Sequence, residues 1–515
     1  MSIINQLIAI LTRGCFAALL FFCAGLINAE GQDSQWWSPG DDRIFPAFSE
    51  YENASGRFGI INTSGPIDTR NHPFFTATGS NGRACVTCHQ PSDAMSLSVS
   101  TIQKRWQETN GKDPLFAAID GSNCPSLPQG ERESHSLLLE KGLIRIPMPW
   151  PPRPFNGKEV TPEFSIKVIR DPTGCNLDPQ WGLNSENPAV SVFRRPRPVI
   201  NIAHLMELPH GVAPFNTFFF NDAMPLPKGP DTGKPVPQQL MADGRGLTPK
   251  HQAKDAALTH LQMFENFTEE QLQQIEAFEK QLYGAQSYDK VAGDLTGKDS
   301  PPGLGPNALV ISPKARLGNN PLNKNFGDFS IWTSVEDQAQ TPQNEVSSFK
   351  ASVARGASVF RDIRFYINDV GMYNDKGLGN PFKRSCGSGC HNTLSMGMDL
   401  SPGFMDIGLN NLPWQNQRSD LPLFKITCHE DVMPHAFLGR EIYTHDPGRS
   451  LITGRCTDVG ATMTQQMRGL AARAPYFVGG ASANLRELVD FYDRRFNIGY
   501  TEQEKVDLVN FMRTL

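Results

Sequence analysis

The sequence Cys85-Val86-Thr87-Cys88-His89 is the stretch from which the fold and chemistry of this chain are predicted. Two cysteines separated by two residues, with a histidine directly after the second, form the attachment pattern of c-type haem. The thiols of that pattern bond to the porphyrin vinyl groups, and the imidazole becomes an iron ligand. A disulfide or a zinc site is the alternative, but a zinc site needs a second ligand pair nearby, and none follows. We therefore expect a covalent haem with His89 on its iron.

A second motif, at residues 386–391, reads CGSGCH. Three residues separate its cysteines instead of two, and a redox or structural disulfide could use the same side chains. Its two glycines tolerate backbone angles that other residues cannot, so the loop can absorb the extra residue. The apolar spacing from Val346 to Phe360 predicts a helix ahead of the motif, as in a cytochrome c domain. A second covalent haem is therefore expected at Cys386, Cys390 and His391.

The N-terminus has the features of an export signal. Arg13 is followed by an apolar run from Cys15 to Leu26 and then by the small residue Ala29. The run is too short to cross a bilayer, so residues 1–29 are predicted as a signal peptide and the mature protein as periplasmic, without a membrane span. An uncleaved membrane anchor is the alternative. The formal net charge of −5, without basic runs, argues against a nucleic-acid partner.

The remaining cysteines predict disulfides. Two of the ten cysteines lie in the signal and four in the motifs, which leaves Cys124, Cys175, Cys428 and Cys456. An even remainder in an oxidising compartment indicates two disulfides, most simply Cys124 with Cys175 and Cys428 with Cys456. The sequence leaves the other pairings open.

The distribution of turn residues predicts two haem domains. Proline, glycine and asparagine concentrate between Asp299 and Asn325, as in a linker. We expect an N-terminal haem domain at residues 30–290, a linker at 291–345 and a C-terminal haem domain at 346–515. The Pro-rich stretch at about 106–198 is predicted as an insertion with little helix.

Two helix starts support a duplication. Thr268 and Thr501 are each followed, three residues later, by Gln271 or Glu504, which is the capping-box pattern at the N-terminus of a helix. Two ordinary amphipathic helices are the plainer interpretation. Because one cysteine motif precedes each helix, an internal repeat is the better account. In the insertion, a strand is expected around Phe164 to Ile169.

The chain resembles the bacterial di-haem cytochrome c peroxidase and MauG superfamily in several ordered segments. They read RPRPVIN at 195–201, ADGR at 242–245, MRGLAARAPYF at 467–477, LRELVDFY at 485–492 and EQEKVDLV at 502–509. The resemblance covers most of both haem units, but neither the insertion nor the linker. It implies a mainly α fold of two cytochrome c-like haem domains with long loop insertions.

The same resemblance implies site residues. In the family the first haem binds peroxide, the second relays electrons from a donor protein, and a tryptophan lies between them. A glutamine and a glutamate ten residues apart line the peroxide site, where breaking the O–O bond requires proton transfer. Here Gln252 matches the glutamine, whereas Gln262 replaces the glutamate and Ala242 the tryptophan. Glutamine cannot shuttle a proton, and Ala242 removes the aromatic side chain between the haems. Both departures therefore count against ordinary peroxidase turnover.

Histidines and methionines supply further candidates. His260 and His251 could each act as a proton shuttle or sixth iron ligand, or be purely structural, and we assign His260 to the catalytic set with Gln252 and Gln262. The histidine that many relatives carry after the PYF sequence is Val478 here. Met463 or Met467 is therefore expected as the sixth ligand of the second haem.

Together these features predict a periplasmic di-haem oxidoreductase of the peroxidase/MauG type. It would reduce peroxide or a related oxidant at the N-terminal haem, with electrons from a periplasmic donor protein arriving through the C-terminal haem. A non-enzymatic di-haem electron carrier is the alternative, favoured by Ala242 and Gln262. A disulfide-stapled binding protein without haem is the third class.

Overall fold

Groups of consecutive strands and groups of consecutive helices follow one another along the chain. The computed structural model describes residues 35–206, 227–310, 328–333, 345–376, 379–391, 404–415 and 418–515. The predicted signal peptide lies outside these residues, as does part of the predicted linker. In the described part of the chain, no helix is long and apolar enough to cross a membrane.

The prediction of a mainly α fold of two cytochrome c-like domains is wrong. Of the described residues, 31% are helical and 20% lie in strands, and the strands form six small antiparallel sheets. The helices predicted from local periodicity are present. The sheets were missed because their strands pair with segments that are distant in sequence, and local periodicity carries no information about such partners.

The described helices differ widely in length, from single turns to five turns. In chain order they are α1 (Cys85–Cys88), α2 (Val99–Thr109), α3 (Ala118–Gly121), α4 (Ser136–Lys141), α5 (Ile202–Met206), α6 (Pro249–Thr259), α7 (Glu269–Gln281), α8 (Ser330–Thr333), α9 (Glu345–Asp362), α10 (Cys386–Gly389), α11 (Ser450–Thr453), α12 (Leu485–Phe496) and α13 (Glu502–Arg513).

The described strands are mostly short. In chain order they are β1 (Ile44–Phe45), β2 (Phe48–Asn53), β3 (Gly56–Asn62), β4 (Ile67–Asp68), β5 (Ile144–Pro149), β6 (Phe164–Arg170), β7 (Ala189–Arg194), β8 (Leu282–Asp289), β9 (Gly293–Asp294), β10 (Phe365–Ile367), β11 (Phe382–Arg384), β12 (Phe404–Met405), β13 (Leu423–Cys428), β14 (Glu441–Thr444) and β15 (Thr462–Met463). The sheet orders are β1-β4, β2-β3-β8-β9, β5-β7, β14-β13-β6, β10-β11 and β12-β15.

The two predicted capping boxes are present. The hydroxyl of Thr268 accepts from the Gln271 amide, and Thr501 accepts in the same way from the Glu504 amide, both at 3.2 Å. The glutamine and glutamate side chains reach back to the amides of the two threonines. These reciprocal bonds satisfy amides that the first helical turn leaves without a partner, which fixes where α7 and α13 begin.

The four-stranded sheet joins the N-terminal hairpin to the strand that follows α7. β3 pairs antiparallel with β8 from Gly56 opposite Asp289 to Asn62 opposite Leu282. Gly284 lies in this pairing, and a side chain at that position would overlap Ile200. The sheet thus fixes α7 relative to the segment that carries Ile200.

The predicted insertion packs against the C-terminal half. Its strand β6, expected near Phe164, pairs antiparallel with β13, and β13 pairs on its other edge with β14. The structure also joins Cys124 to Cys175 and Cys428 to Cys456, with Cα–Cα distances of 5.1 and 5.8 Å. These are the two disulfides that were expected as the simplest pairing of the four cysteines.

The largest apolar core combines residues from both predicted haem domains. Ile202 and Tyr283 lie in it with Phe349, Phe511 and residues of the predicted linker such as Leu304. Helices α9 and α13 cross closely at Gly356, where a side chain would overlap the carbonyl of Asp507. Residues 38–515 form one compact unit. Burial of this shared core is the main stabilising contribution expected for the unit.

Candidate functional site

A large cavity lies beside Cys85, Cys88 and His89. It encloses about 1210 Å³ of space, part of it open to solvent. We call it the first pocket. Its wall comes from α1, α6, α7, and the segments at 194–199 and 239–245. Residues of the first motif, the ADGR element and the Gln252 helix therefore meet around one space, although they are far apart in sequence.

The imidazole of His89 is fixed and neutral. Its Nδ1 lies 3.0 Å from the carbonyl oxygen of Met95, and since a carbonyl only accepts, Nδ1 carries the proton. Burial lowers the pKa of His89 to about 4, so Nε2 has a lone pair at neutral pH. Burial raises the pKa of Cys88 to about 11 and raises the pKa of Cys85 as well. Both thiols are therefore protonated, and neither lies in a disulfide.

Two of the three predicted catalytic residues line the first pocket. Gln252 and His260 are on its wall, and so is Ala242. Gln262 is absent from the lining, because α6 ends at Thr259 and the chain turns away at a positive φ of 53° at Gln262. The Gln262 carbonyl accepts from the hydroxyl of Ser80 at 3.2 Å.

Sequence reasoning missed the carboxylate that contacts His260. Asp120 Oδ2 lies 2.7 Å from Nδ1 of His260. Asp120 is buried, also lines the first pocket and lies 3.8 Å from the guanidinium of Arg83. It comes from the predicted insertion and is 140 residues from His260. No local pattern joins the two, although the positive φ that Asp120 adopts is one that Asp tolerates better than most residues.

The ADGR element is held by a buried ion cluster. Arg194 lies 2.6 Å from both Asp243 and Asp446, and Arg245 lies 2.9 Å from Asp243. Burial alone would raise the pKa of Asp243, but Arg245 and Arg194 outweigh burial and hold it well below its usual range. Gly244 has a positive φ, and a side chain there would overlap the ring of Phe404. The cluster thus fixes the backbone around Ala242.

A second cavity lies beside the second motif. It encloses about 1270 Å³, part of it open to solvent, and we call it the second pocket. Cys386, Cys390 and His391 line it, together with both predicted ligands, Met463 and Met467. Much of the rest of its wall is aromatic or aliphatic. The sequence therefore identified residues that the fold gathers around one space.

The polar groups of the second motif are largely desolvated. Burial lowers the pKa of His391 to about 4, and its Nδ1 has no hydrogen-bond partner among the described residues. Burial also raises the pKa of Cys386 to about 11. The Cys386 sulfur lies 3.8 Å from the hydroxyl of Tyr500. At neutral pH this part of the wall is uncharged.

The two pockets share a wall. The backbone amide of Met463, in the second pocket, donates to the carbonyl of Ala242, in the first, at 2.8 Å. Arg197 of the first pocket donates to the carbonyl of Thr464 in the second at 3.2 Å. The two linings are therefore joined directly by a hydrogen bond at Ala242, the position where the resemblance implies a tryptophan.

Other histidines make structural contacts. Nδ1 of His251 accepts from the amide of Leu247 at 3.2 Å, which closes the turn before α6. His204 is buried and donates from Nε2 to the carbonyl of Leu309 at 3.0 Å. Neither residue lines the first or the second pocket. His260 is thus the histidine of the α6 region that reaches a cavity.

The prediction of two covalently bound c-type haems is wrong for the part of the chain that the structure describes. Those residues contain no group of three or more histidine, cysteine, aspartate or glutamate side chains that could hold a metal ion. What the two motifs share is their position on the wall of a large cavity.

No family model, curated protein or solved structure matches this chain. The similarity to the di-haem peroxidase and MauG superfamily therefore rests on the motifs quoted from the sequence. Two of the positions that carry it, Ala242 and Gln252, lie on the wall of the first pocket.

Proposed function

We propose that the protein is an exported oxidoreductase of the peroxidase/MauG type, with one redox site in each pocket. Peroxide or a related oxidant would be reduced in the first pocket, and electrons would arrive through the second. The observation that supports this function is the pair of cavities, each bordered by two cysteines outside the disulfides and by the histidine that directly follows them in sequence. The linings meet at Ala242 and Met463.

The difference between the two walls supports the assignment of roles. Proton-transfer groups lie in the first pocket, where His260, Asp120 and Glu279 are part of the lining. The second pocket has Arg473 as the charged side chain of its described lining, and its other polar groups are neutral. Reduction of peroxide consumes protons, whereas passing on an electron does not. The first pocket is therefore the better site for the oxidant.

The reaction fixes what these residues have to do. Peroxide takes up two electrons and two protons, its O–O bond breaks and two waters form. The electrons come from a reduced one-electron donor protein, which acts twice. His260 would move a proton from one oxygen to the other, and the Gln252 amide would orient the oxidant by hydrogen bonding.

An electron would cross between the pockets at their shared wall. Two backbone hydrogen bonds of 2.8 Å join the linings, one from the Met463 amide to the Ala242 carbonyl and one from the Arg195 amide to the Val478 carbonyl. Cys386, Cys390 and His391 line the second pocket, and so do Met463 and Met467. Without an aromatic side chain at Ala242, these backbone bridges are the direct routes.

A non-enzymatic electron carrier is the second function that an observation favours. Gln262 lies outside the first pocket and cannot take part there, so the family's paired amide and carboxylate are incomplete. In such a carrier both redox sites would pass on electrons without binding peroxide. The two functions share both pockets and differ in the chemistry of the first.

The test uses the full chain purified from the periplasm of an expressing bacterium. Visible absorption and metal content are measured before and after reduction, and peroxide consumption is followed with a reduced small electron-transfer protein. We expect two redox transitions and one peroxide consumed for every two electrons. Redox transitions without peroxide consumption would favour the carrier. A protein with no redox-active group in either pocket would overturn both functions.

A further inference from the structure

His260 is held with its Nδ1 against a carboxylate. Nδ1 lies 2.7 Å from Oδ2 of Asp120, and because an ionised carboxylate only accepts, the proton of this bond belongs to His260. In a neutral imidazole the other nitrogen, Nε2, then carries the lone pair. His260 and Asp120 both line the first pocket. The pair therefore has the arrangement of a proton-transfer histidine with an orienting acid.

Arg83 clamps the loop that carries Asp120. Its guanidinium donates to the carbonyls of Pro114, Leu115 and Ile119 at 2.8, 2.9 and 2.6 Å. A side chain at Gly121 would come within 2.7 Å of the same guanidinium. Since three hydrogen bonds from one buried arginine fix the loop, the carboxylate has little freedom to leave the imidazole.

The backbone at both ends of the pair is also fixed. Asp120 has a φ of +66°, a conformation that costs an L-residue free energy and persists where the surroundings impose it. The carbonyl of His260 accepts from Nδ2 of Asn81 at 2.8 Å, and Arg83 donates to the same oxygen at 3.4 Å. Strained backbone of this kind concentrates at functional sites.

We propose that Asp120 is the positioning residue that makes His260 the proton-transfer group of the first pocket. The inference rests on the proposed function and deepens it, because Gln262 is outside the pocket and cannot move protons there. Nε2 of His260 takes the proton from the oxygen of peroxide that binds in the pocket and returns it to the departing oxygen as the O–O bond breaks. Electrons and remaining protons come from the donor protein and solvent, as above.

Asp120 is the charged group that contacts the imidazole itself, whereas Arg83 contacts the backbone carbonyl of His260. Asp120 and Arg83 contact His260 directly, and His89 lies near enough that His260 contributes to lowering the His89 pKa, after burial. Glu279 lies on the same pocket wall. Loss of the Asp120 carboxylate would therefore leave the Nδ1 proton of His260 without an acceptor of equal strength, on a pocket wall that also carries Arg83, Arg194, Arg195, Arg197 and Arg245.

The test is the Asp120→Asn variant of the full protein, with Asp120→Glu as the rescuing variant. In Asp120→Asn we expect kcat for peroxide reduction to fall roughly a hundredfold, with the KM for peroxide little changed and the pH profile shifted. Asp120→Glu should recover part of kcat. His260→Gln should lower kcat by a similar factor. The double variant should lower kcat no further than either single variant, because the two residues act as a unit.

A matched control separates positioning from folding. Asp113 is a second buried carboxylate near the same loop, bound to Arg105 at 2.6 Å and away from the pocket lining. Asp113→Asn should lower stability without shifting the pH profile. Nitrogen-15 NMR of labelled histidines gives a readout that needs no turnover, and the His260 tautomer should change in Asp120→Asn.

Two results would overturn the inference. One is an unchanged kcat in Asp120→Asn, and the other is an unchanged His260 tautomer. If wild-type protein consumes no peroxide at all, the proposed function fails. The NMR measurement still decides separately whether Asp120 fixes His260.

Discussion

Glu279 is a carboxylic acid that the fold buries on the wall of the first pocket. It is 4% exposed and lies on the inner face of α7. Burial raises its pKa from 4.5 to about 8, and the nearby Glu276 adds to the rise. In the unfolded chain the same group titrates near its ordinary value. Between these two pKa values the folded protein therefore holds a proton that the unfolded chain has released.

This proton makes stability depend on pH. Because the folded state binds the extra proton, the free energy of unfolding should fall as pH rises from about 4.5 to about 8 and level off above that. The loss attributable to Glu279 is on the order of a few kcal/mol, since one pKa unit corresponds to about 1.4 kcal/mol. Urea unfolding at a series of pH values should show this slope in wild type and a flatter one in Glu279→Gln.

The control for this prediction is Glu276→Gln. Glu276 lies one turn earlier on the same helix and pairs with Lys280 at 2.7 Å near the surface. Its removal should leave most of the slope in place. Equal slopes in wild type and Glu279→Gln would show that the Glu279 proton does not distinguish the folded from the unfolded state.

At this scale the sequence named some site residues and missed others. His260 and Gln252 could be selected because they lie beside motif positions in the chain. Asp120 could not, since its partner lies 140 residues away and the pair exists only after the insertion folds against α6. Gln262 was selected by counting from Gln252, and the count failed because the helix ends at Thr259.

Among the elements, the turn at residues 242–245 links the pockets. Asp243 is the centre of its ion cluster, and Gly244 packs directly on Phe404 of β12. The guanidinium of Arg449 lies 3.7 Å from the centre of the same ring. Because β12 pairs with β15, which contains Met463, this packing aligns the turn with the shared wall.

Gly244→Ala should therefore lower the free energy of unfolding by more than the unfavourable backbone conformation alone would. A positive φ costs an alanine about 1–2 kcal/mol, and forcing a methyl group against the Phe404 ring adds roughly 1–3 kcal/mol. The measurement is the free energy of unfolding in urea. Gly40→Ala is the matched control, because Gly40 has a φ of +79° and nothing within 4 Å of an added methyl group. Equal losses in the two variants would exclude the steric contribution.

Local signals account for the elements that were predicted. Capping boxes at Thr268 and Thr501 and the apolar spacing from Val346 to Phe360 all act within one or two helical turns. The sheets depend on pairings such as β3 with β8 and β6 with β13, whose partners lie more than 200 residues apart. No short window of sequence contains both members of such a pair.

At the scale of the whole molecule, the two disulfides each close a loop of the chain. Cys428–Cys456 closes a loop of 28 residues and Cys124–Cys175 one of 51 residues. If restriction of the unfolded chain dominates, each should stabilise by about 4 kcal/mol, and the longer loop by slightly more. Paired Cys→Ser variants, compared by urea unfolding, should show this order. The reverse order would indicate that contacts in the folded state decide the loss.

The shared wall at Ala242 and Met463 has a thermodynamic consequence. Any event in one pocket that displaces this backbone bridge changes the free energy of events in the other. Linkage is reciprocal, so if an electron added to the second site tightens binding of the oxidant in the first, the bound oxidant must raise the second site's reduction potential by the same free energy. The second site would then be reduced most readily while an oxidant is bound in the first pocket.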